Sequence, residues 1–339
     1  MIIGLDIGYG YTKVVTENNQ QALFPSLVTR GHNQQLASVW NQKKDPIENL
    51  HIKLVEGAGY KEYFVGKLAE KQMEASFILD DNKLNLEETH VLLATALTLF
   101  LPEGKSAVKV ATGLPLEQYV HQKDQFEATL KNFSAEVFYV DSAQKKIVEI
   151  EDYLVFPQAA GAIYNVMMTD PHKYMIENSY VGLIDIGFKT TDFVAFSIND
   201  SFSLEEGLSG TIDTGMSDVM IAADRLFTQN SGGSKLATTD LLSLVRKGKI
   251  YFMSQYLDIT EGLAEVREFI AKTIQNKVRG VWAERFNLFS TVFISGGGGI
   301  DLFPYFRNFH PNATLVEDAQ MSNAKGFLKV AKNRINNPA

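Results

Sequence analysis

The chain has 339 residues, 45% of them hydrophobic, with six histidines, no cysteine and a formal net charge of −8. That length suits two domains of ordinary size. The missing cysteines exclude disulfides, thiolate metal sites and cysteine nucleophiles, and the acidic balance argues against extensive direct contact with a nucleic-acid backbone. Met1 already belongs to the first strand, no apolar run is long enough to span a bilayer, and neither end carries a basic amphipathic helix. These features predict a cytoplasmic chain without a membrane partner.

The first element is a strand, Ile3-Gly4-Leu5-Asp6-Ile7, followed by Gly8-Tyr9-Gly10-Tyr11-Thr12-Lys13 and a second strand, Val14-Val15. Gln21–Val28 reads as an edge strand. Residues from about 29 to 86 are polar with short strand-like pieces and read as a small inserted lobe. Asn85 to Leu101 is apolar on nearly all sides around Val91–Leu97, a buried helix that Pro102 and Gly104 end. A strand at 108–113 leads into a helix over 118–133, strands near 136–140 and 146–151, and a helix opening at Pro157-Gln158-Ala159-Ala160-Gly161-Ala162. The Gln158 amide at this helix start could orient a water, as glutamines do in some phosphoryl-transfer sites, or stand as an ordinary N-terminal helix residue; its place between the two hairpins raises the first reading.

The first hairpin then recurs. Gly182-Leu183-Ile184-Asp185-Ile186-Gly187-Phe188-Lys189-Thr190-Thr191-Asp192-Phe193-Val194 repeats it with Asp185 standing 179 residues after Asp6. Helices are expected at 215–227 and 262–286. The second carries the stripe Leu263, Val266, Phe269, Ile270, Ile274, Val278, Val281, Trp282 and Phe286 toward a core. The strand 291–295 runs into Gly296-Gly297-Gly298-Gly299, where bare backbone is expected to receive a flat ligand. A closing helix covers 322–332. Strands alternating with helices give an α/β fold.

An Asp-Gly pair alone is a common hairpin turn. Two copies sharing the flanking Ile, the aromatic and the Thr exceed what turn chemistry requires. Glycine permits positive φ and close approach of backbone N–H groups to a ligand, and successive N–H groups make an anion-binding concavity. Thr12, Thr190, Thr191, Lys13 and Lys189 add donors. Asp6 and Asp185 would repel a phosphate unless a cation intervened, and Mg²⁺ is commonly held by one or two carboxylates with waters and phosphate oxygens. The pair therefore points to a Mg-nucleotide. Gly8-Tyr9-Gly10 does not continue as a dinucleotide fingerprint, since Lys13 replaces the third glycine and a strand follows. No Ser-His-Asp set, zinc-protease motif or P-loop is present.

In this order, the two hairpins, Pro157-Gln158-Ala159-Ala160-Gly161-Ala162, the glycine-rich strand end and Asn323-Ala324-Lys325-Gly326-Phe327 resemble the actin-like ATPase superfamily. Thr12-Lys13 and Ala111-Thr112-Gly113-Leu114-Pro115 look most like the ParM/StbA plasmid-segregation actins and related archaeal proteins. The resemblance implies an actin-like (ribonuclease H-like) two-domain fold with a nucleotide cleft between the domains. Residues 1–162 plus 318–339 would form domain I, and residues 163–317 domain II. It implies that Asp6 and Asp185 hold Mg²⁺. Gly8, Tyr9, Gly10, Tyr11, Thr12 and Lys13 would cradle phosphates from one side, and Gly187, Phe188, Lys189 and Thr190 from the other. Gln158 and Asp192 would serve the attacking water, and Gly296, Gly297 and Gly298 would pack on the nucleoside. ATP and GTP both stay open. The resemblance further implies filaments that segregate DNA through a DNA-binding adaptor. A non-filamentous scaffold and a small-molecule kinase of the same superfamily are the alternatives.

Overall fold

The computed structural model describes residues 1–32, 45–57, 59–169, 171–199 and 202–336. The chain divides into two units. Unit 1 is Met1–Leu114, Gln118–Phe156 and Phe327–Ala339; unit 2 is Pro115–Glu117 and Pro157–Gly326.

Nine strands build the first sheet: β1 (Ile2–Ile7), β2 (Tyr11–Thr16), β3 (Gln21–Pro25), β4 (Val28–Arg30), β5 (Leu50–Glu56), β6 (Gly59–Val65), β7 (Gly104–Leu114), β8 (Ser134–Tyr139) and β9 (Gln144–Pro157), in the order β3-β2-β1-β7-β9-β8-β5-β6-β4. β1 to β3 form an antiparallel meander, and β7 joins β1 in parallel. Gln21–Pro25 lies at one edge, as its sequence suggests, and β4 at the other. Within the 29–86 segment, β5 pairs with β8, so its strands extend this sheet and build none of their own.

The helices α1 (Lys67–Glu70), α2 (Glu87–Thr98) and α3 (Leu116–Lys131) accompany these strands. Alternate side chains Ile3, Leu5 and Ile7 enter a core shared with Val91, Leu93 and Leu97 of α2. α2 is buried nearly all round because its polar members satisfy themselves. The Thr95 and Thr98 hydroxyls each donate to the carbonyl four residues back, at 2.7 Å.

The second sheet has the path β12 (Phe202–Leu204), β11 (Thr191–Ile198), β10 (Ser179–Ile186), β16 (Phe289–Ser295) and β17 (Ala313–Leu315), with β13 (Gly210–Ile212) also on β11. β10 and β11 are antiparallel, and β16 joins β10 in parallel. The β1–β2 hairpin and its parallel neighbour thus recur in arrangement as well as in sequence.

Side chains on the two faces of the second sheet enter different cores. Val181, Leu183, Val194 and Phe293 meet Ala159, Ala162 and Ile163 of α4 (Gln158–Met167). Ile184, Ile186, Phe193 and Ile294 meet α6 (Met216–Asn230), α7 (Thr238–Lys247), α8 (Thr260–Trp282) and α9 (Gly297–Phe306). The short α5 (Pro171–Tyr174) follows α4, and α10 (Ser322–Asn336) closes the chain. Between α7 and α8 stands a separate ribbon of β14 (Lys249–Phe252) and β15 (Gln255–Asp258).

The stripe on α8 is corrected in two places. Leu263, Ile270, Ile274, Val278 and Trp282 are buried, but Phe269 and Val281 are exposed. Each stands next to a buried member, and one residue is about 100° around a helix, so it leaves the core face. The helix also stops at Trp282, with Ala283 at φ 41°, before a 3-10 segment holding Phe286.

Candidate functional site

In unit 1 the turn between β1 and β2 is closed by the Gly8 N–H donating to the Tyr11 carbonyl at 3.1 Å. A Cβ at Gly8 would lie 2.9 Å from that oxygen, so close approach requires the glycine. Positive φ, expected from the sequence, is not the reason: Gly8, Gly10 and Gly187 are absent from the positive-φ glycines. Ser26, after β3, braces the turn from below. Its hydroxyl donates to the Gly8 carbonyl at 2.7 Å and shares a 2.9 Å hydrogen bond with Thr12 Oγ1, while its N–H donates to the Gly10 carbonyl at 2.9 Å.

Cross-strand register sets Asp6 opposite Lys13, and Lys13 Nζ lies 2.8 Å from Asp6 Oδ2. Tyr9 turns inward, its hydroxyl accepting from Gln118 Nε2 and donating to Asp81 at 3.5 Å. The Thr12 hydroxyl and Tyr9 phenol are therefore engaged within unit 1. Nearby, Gln118 Oε1 and Thr112 Oγ1 are buried with no hydrogen-bond partner; buried polar atoms left so are unusual and fit a polar ligand.

In unit 2 the second turn repeats the first. The Gly187 N–H donates to the Thr190 carbonyl at 2.9 Å, and a Cβ there would lie 2.8 Å from the same oxygen. The Gly187 and Phe188 carbonyls accept from Met216 and Ser217 N–H at 3.2 and 2.6 Å, which ties the turn to the first residues of α6. The Thr191 hydroxyl, expected as a ligand donor, donates instead to the Thr214 carbonyl at 2.8 Å.

Register sets Asp185 opposite Asp192, so the place Lys13 holds in unit 1 belongs to a second carboxylate here. Asp185 Oδ2 accepts from Asn323 Nδ2 at 2.7 Å, and Asn323 Oδ1 accepts from the Ala162 N–H at 3.1 Å. Asp192 Oδ1 accepts from Thr211 Oγ1 and from the Leu116 N–H. Burial, and then the charge of Asp185, push Asp192 up to about 7 against the opposing pull of those donors.

Asp185 and Asp192 lie on the sheet face that α4 covers, because Val181, Leu183 and Val194 of the same alternation pack under that helix. Gln158, the first residue of α4 and itself buried, is thus carried on the layer that faces the acid pair. Gly296, at φ 83°, does adopt a backbone that favours glycine. Its missing side chain leaves room for Ile186 and Asp185, and that of Gly298 for Ile186 and Met216. α9 begins at Gly297. These glycines seat a helix start against the β10 turn, at the strand end where the sequence suggests bare backbone for a flat ligand.

Among the described residues no three His, Asp or Glu side chains gather as a metal cage. Asp6 and Asp185, each a buried carboxylate beside its own turn, are the kind of oxygen ligand that Mg²⁺ takes together with water and phosphate. Ser26, Thr211 and Asn323 are not marked in the sequence, because their bonds to Gly8, Asp192 and Asp185 follow no fixed spacing.

A model of the actin-like protein N-terminal domain matches residues 4–161, and one of the archaeal actin homologue MreB-like C-terminal domain matches residues 183–307. A ParM from a 15-stranded Clostridium botulinum filament is 37% identical, with 98% of this chain and 99% of that one covered, at a TM-score of 0.93. The chain is an actin-like protein. An archaeal actin homologue of Thermoplasma acidophilum is 24% identical over 98% of this chain and 99% of its own length. The archaeal actin homologue Ta0583 in complex with ADP is 20% identical, with 98% and 99% covered and a TM-score of 0.79, which shows the shared fold. The α/β, actin-like class read from the sequence therefore holds. No helix among the described residues is long and apolar enough to cross a membrane.

Proposed function

We propose that this actin-like chain binds a nucleoside triphosphate with Mg²⁺, hydrolyses its γ-phosphate with water, and couples that reaction to self-association into filaments. The observation that carries the reading is the repeated turn, a carboxylate followed by a glycine whose N–H closes on the carbonyl three residues on, found in both units. Support comes from Ta0583, an archaeal actin homologue of the same fold described in complex with ADP, and from the ParM relative described as a filament.

In this reading Asp6 and Asp185 hold the ion, largely through waters, and the ion supplies charge neutralisation at the phosphates. The Gly8–Lys13 and Gly187–Thr190 turns hold phosphate oxygens with backbone N–H groups and with Lys13 and Lys189. Gln158 orients the attacking water and Asp192 receives its proton. Gly296, Gly297 and Gly298 give the nucleoside a close backbone surface. Residues 1–162 with 318–339, and 163–317, remain our proposed domains I and II. The larger role we propose is cytoplasmic DNA segregation through a DNA-binding adaptor, since the acidic chain is poorly suited to bind DNA itself.

Calorimetric titration with ATP and GTP tests the binding step. Uptake is expected to require Mg²⁺ and to be lost in Asp185→Asn; equal binding by that variant contradicts the metal role. Gln158→Ala is expected to slow phosphate release on the order of a hundredfold while assembly persists, because a misplaced reactant is penalised about that much. Unchanged release removes Gln158 from the reaction.

A further inference from the structure

The reaction proposed above gives Asn323 no part, although its side chain reaches one of the two metal acids. In unit 1 the Asp6 carboxylate has a cation beside it, Lys13 Nζ at 2.8 Å. In unit 2 the matching cross-strand place holds Asp192, a like charge. The nitrogen that meets Asp185 comes instead from the first turn of α10, where Asn323 Nδ2 lies 2.7 Å from Asp185 Oδ2. Asn323, Ala162 and Asp185 all belong to unit 2.

Asn323 is buried, and a buried amide costs free energy unless its polar ends are bonded. Both ends are used. The Ala162 N–H can only donate, so the end facing it at 3.1 Å is Oδ1; the carboxylate of Asp185 accepts, so the end facing it is Nδ2. The first bond therefore aims the second. The helix that carries the amide is itself held on α4. The Ser322 hydroxyl donates to the Ala162 carbonyl at 3.5 Å and accepts from Asn165 Nδ2 at 3.4 Å. A carboxylate has about four acceptor sites, so one N–H on Oδ2 fixes its direction and leaves others for the water around an ion. Unlike Lys13, the amide is neutral and leaves the charge of Asp185 uncancelled.

We propose that Asn323 is a positioning residue for the metal acid of unit 2: anchored on α4 through Ala162, it holds the Asp185 carboxylate in one direction, against the like charge of Asp192, for a hydrated Mg²⁺. The proposal rests on the Mg-nucleotide reading above.

Calorimetry on the full-length chain, with ADP or GDP, reads affinity in Mg²⁺ and in a chelator; the ratio of the two measures the ion's contribution. Asn323→Ala is expected to lower that ratio about tenfold or more, the scale of one hydrogen bond to a charged group, with the affinity in chelator near the parent's. General loosening of unit 2 lowers both affinities alike and leaves the ratio. Ser322→Ala supplies that comparison, since it removes bonds from α10 to α4. It is expected to lower the melting temperature and keep the parent's ratio. A parental ratio in Asn323→Ala, or an equal fall in Ser322→Ala, overturns the proposal while the Mg-nucleotide reading stands. Asn323→Leu, closer in volume, takes the place of Asn323→Ala if the smaller variant does not fold. If neither folds, NMR of the parent decides. The Asn323 side-chain amide signal is expected to move when Mg²⁺ is added to the nucleotide-bound chain, and a signal that ignores the ion overturns the proposal. A parent that takes up neither nucleotide, or takes them up equally in chelator, removes the Mg-nucleotide reading and the positioning role with it.

Discussion

Asp6 and Asp185 occupy matching places in two matching turns, yet their cross-strand partners carry opposite charge. Lys13 forms a 2.8 Å ion pair with Asp6. Asp192 gives Asp185 a second carboxylate instead, and burial together with that charge raises Asp192 to about 7 from its ordinary 3.8. The sign of the stability effect follows. Between those values the folded chain retains a proton that the unfolded chain has released. The contribution of Asp192 is therefore full below about pH 4 and lost as pH rises toward 7. Asp192→Asn keeps an acceptor for Thr211 and the Leu116 N–H and removes the titration. In protein free of metal and nucleotide, its melting temperature is expected to exceed the parent's by a margin that widens from pH 5 to pH 7 and then levels. A margin independent of pH means that Asp192 is not held protonated.

Helix crossings set the next level of constraint. A Cβ at Gly326, on α10, would overlap the carbonyl oxygen of Gly161 on α4, so the two helices touch through glycine backbones. Backbone cannot yield as a side-chain tip can, and Gly326→Ala is expected to destabilise unit 2 by about 3 kcal/mol, the upper end of ordinary overpacking. Gly280, inside α8, meets nothing within 4 Å. Gly280→Ala is expected to stabilise by up to about 1 kcal/mol through helix propensity. Urea unfolding midpoints measure both; equal effects contradict the crossing.

The elements that the sequence made plain are those with strong local signals. The two hairpins were legible because the motif recurs, and α2 because Val91–Leu97 is continuously apolar. The ribbon was not, because its turn is Met253-Ser254, with none of the Gly, Asn or Asp that marks a left-handed hairpin turn. The end of α8 escaped for the same reason, since Ala283 takes φ 41° where a glycine would have been a signal. Partners of the turns were illegible in another way. Ser26, Thr211 and Asn323 reach Gly8, Asp192 and Asp185 only through tertiary folding, which leaves no fixed spacing to read.

At the scale of the molecule, duplication is the organising fact. Each unit presents a strand–turn–strand with a parallel neighbour, and each turn is a glycine closed on the carbonyl three residues ahead. If the proposed nucleotide hydrolysis governs association, hydrolysis and assembly must rise together. The deciding measurement is phosphate release and light scattering followed in parallel over a range of protein concentrations, with Mg²⁺ and either ATP or GTP. We expect both signals to vanish below one common critical concentration and to be lost together in Asp6→Asn. Release that grows linearly from the lowest protein concentration with no scattering, or no release at any concentration, contradicts the account.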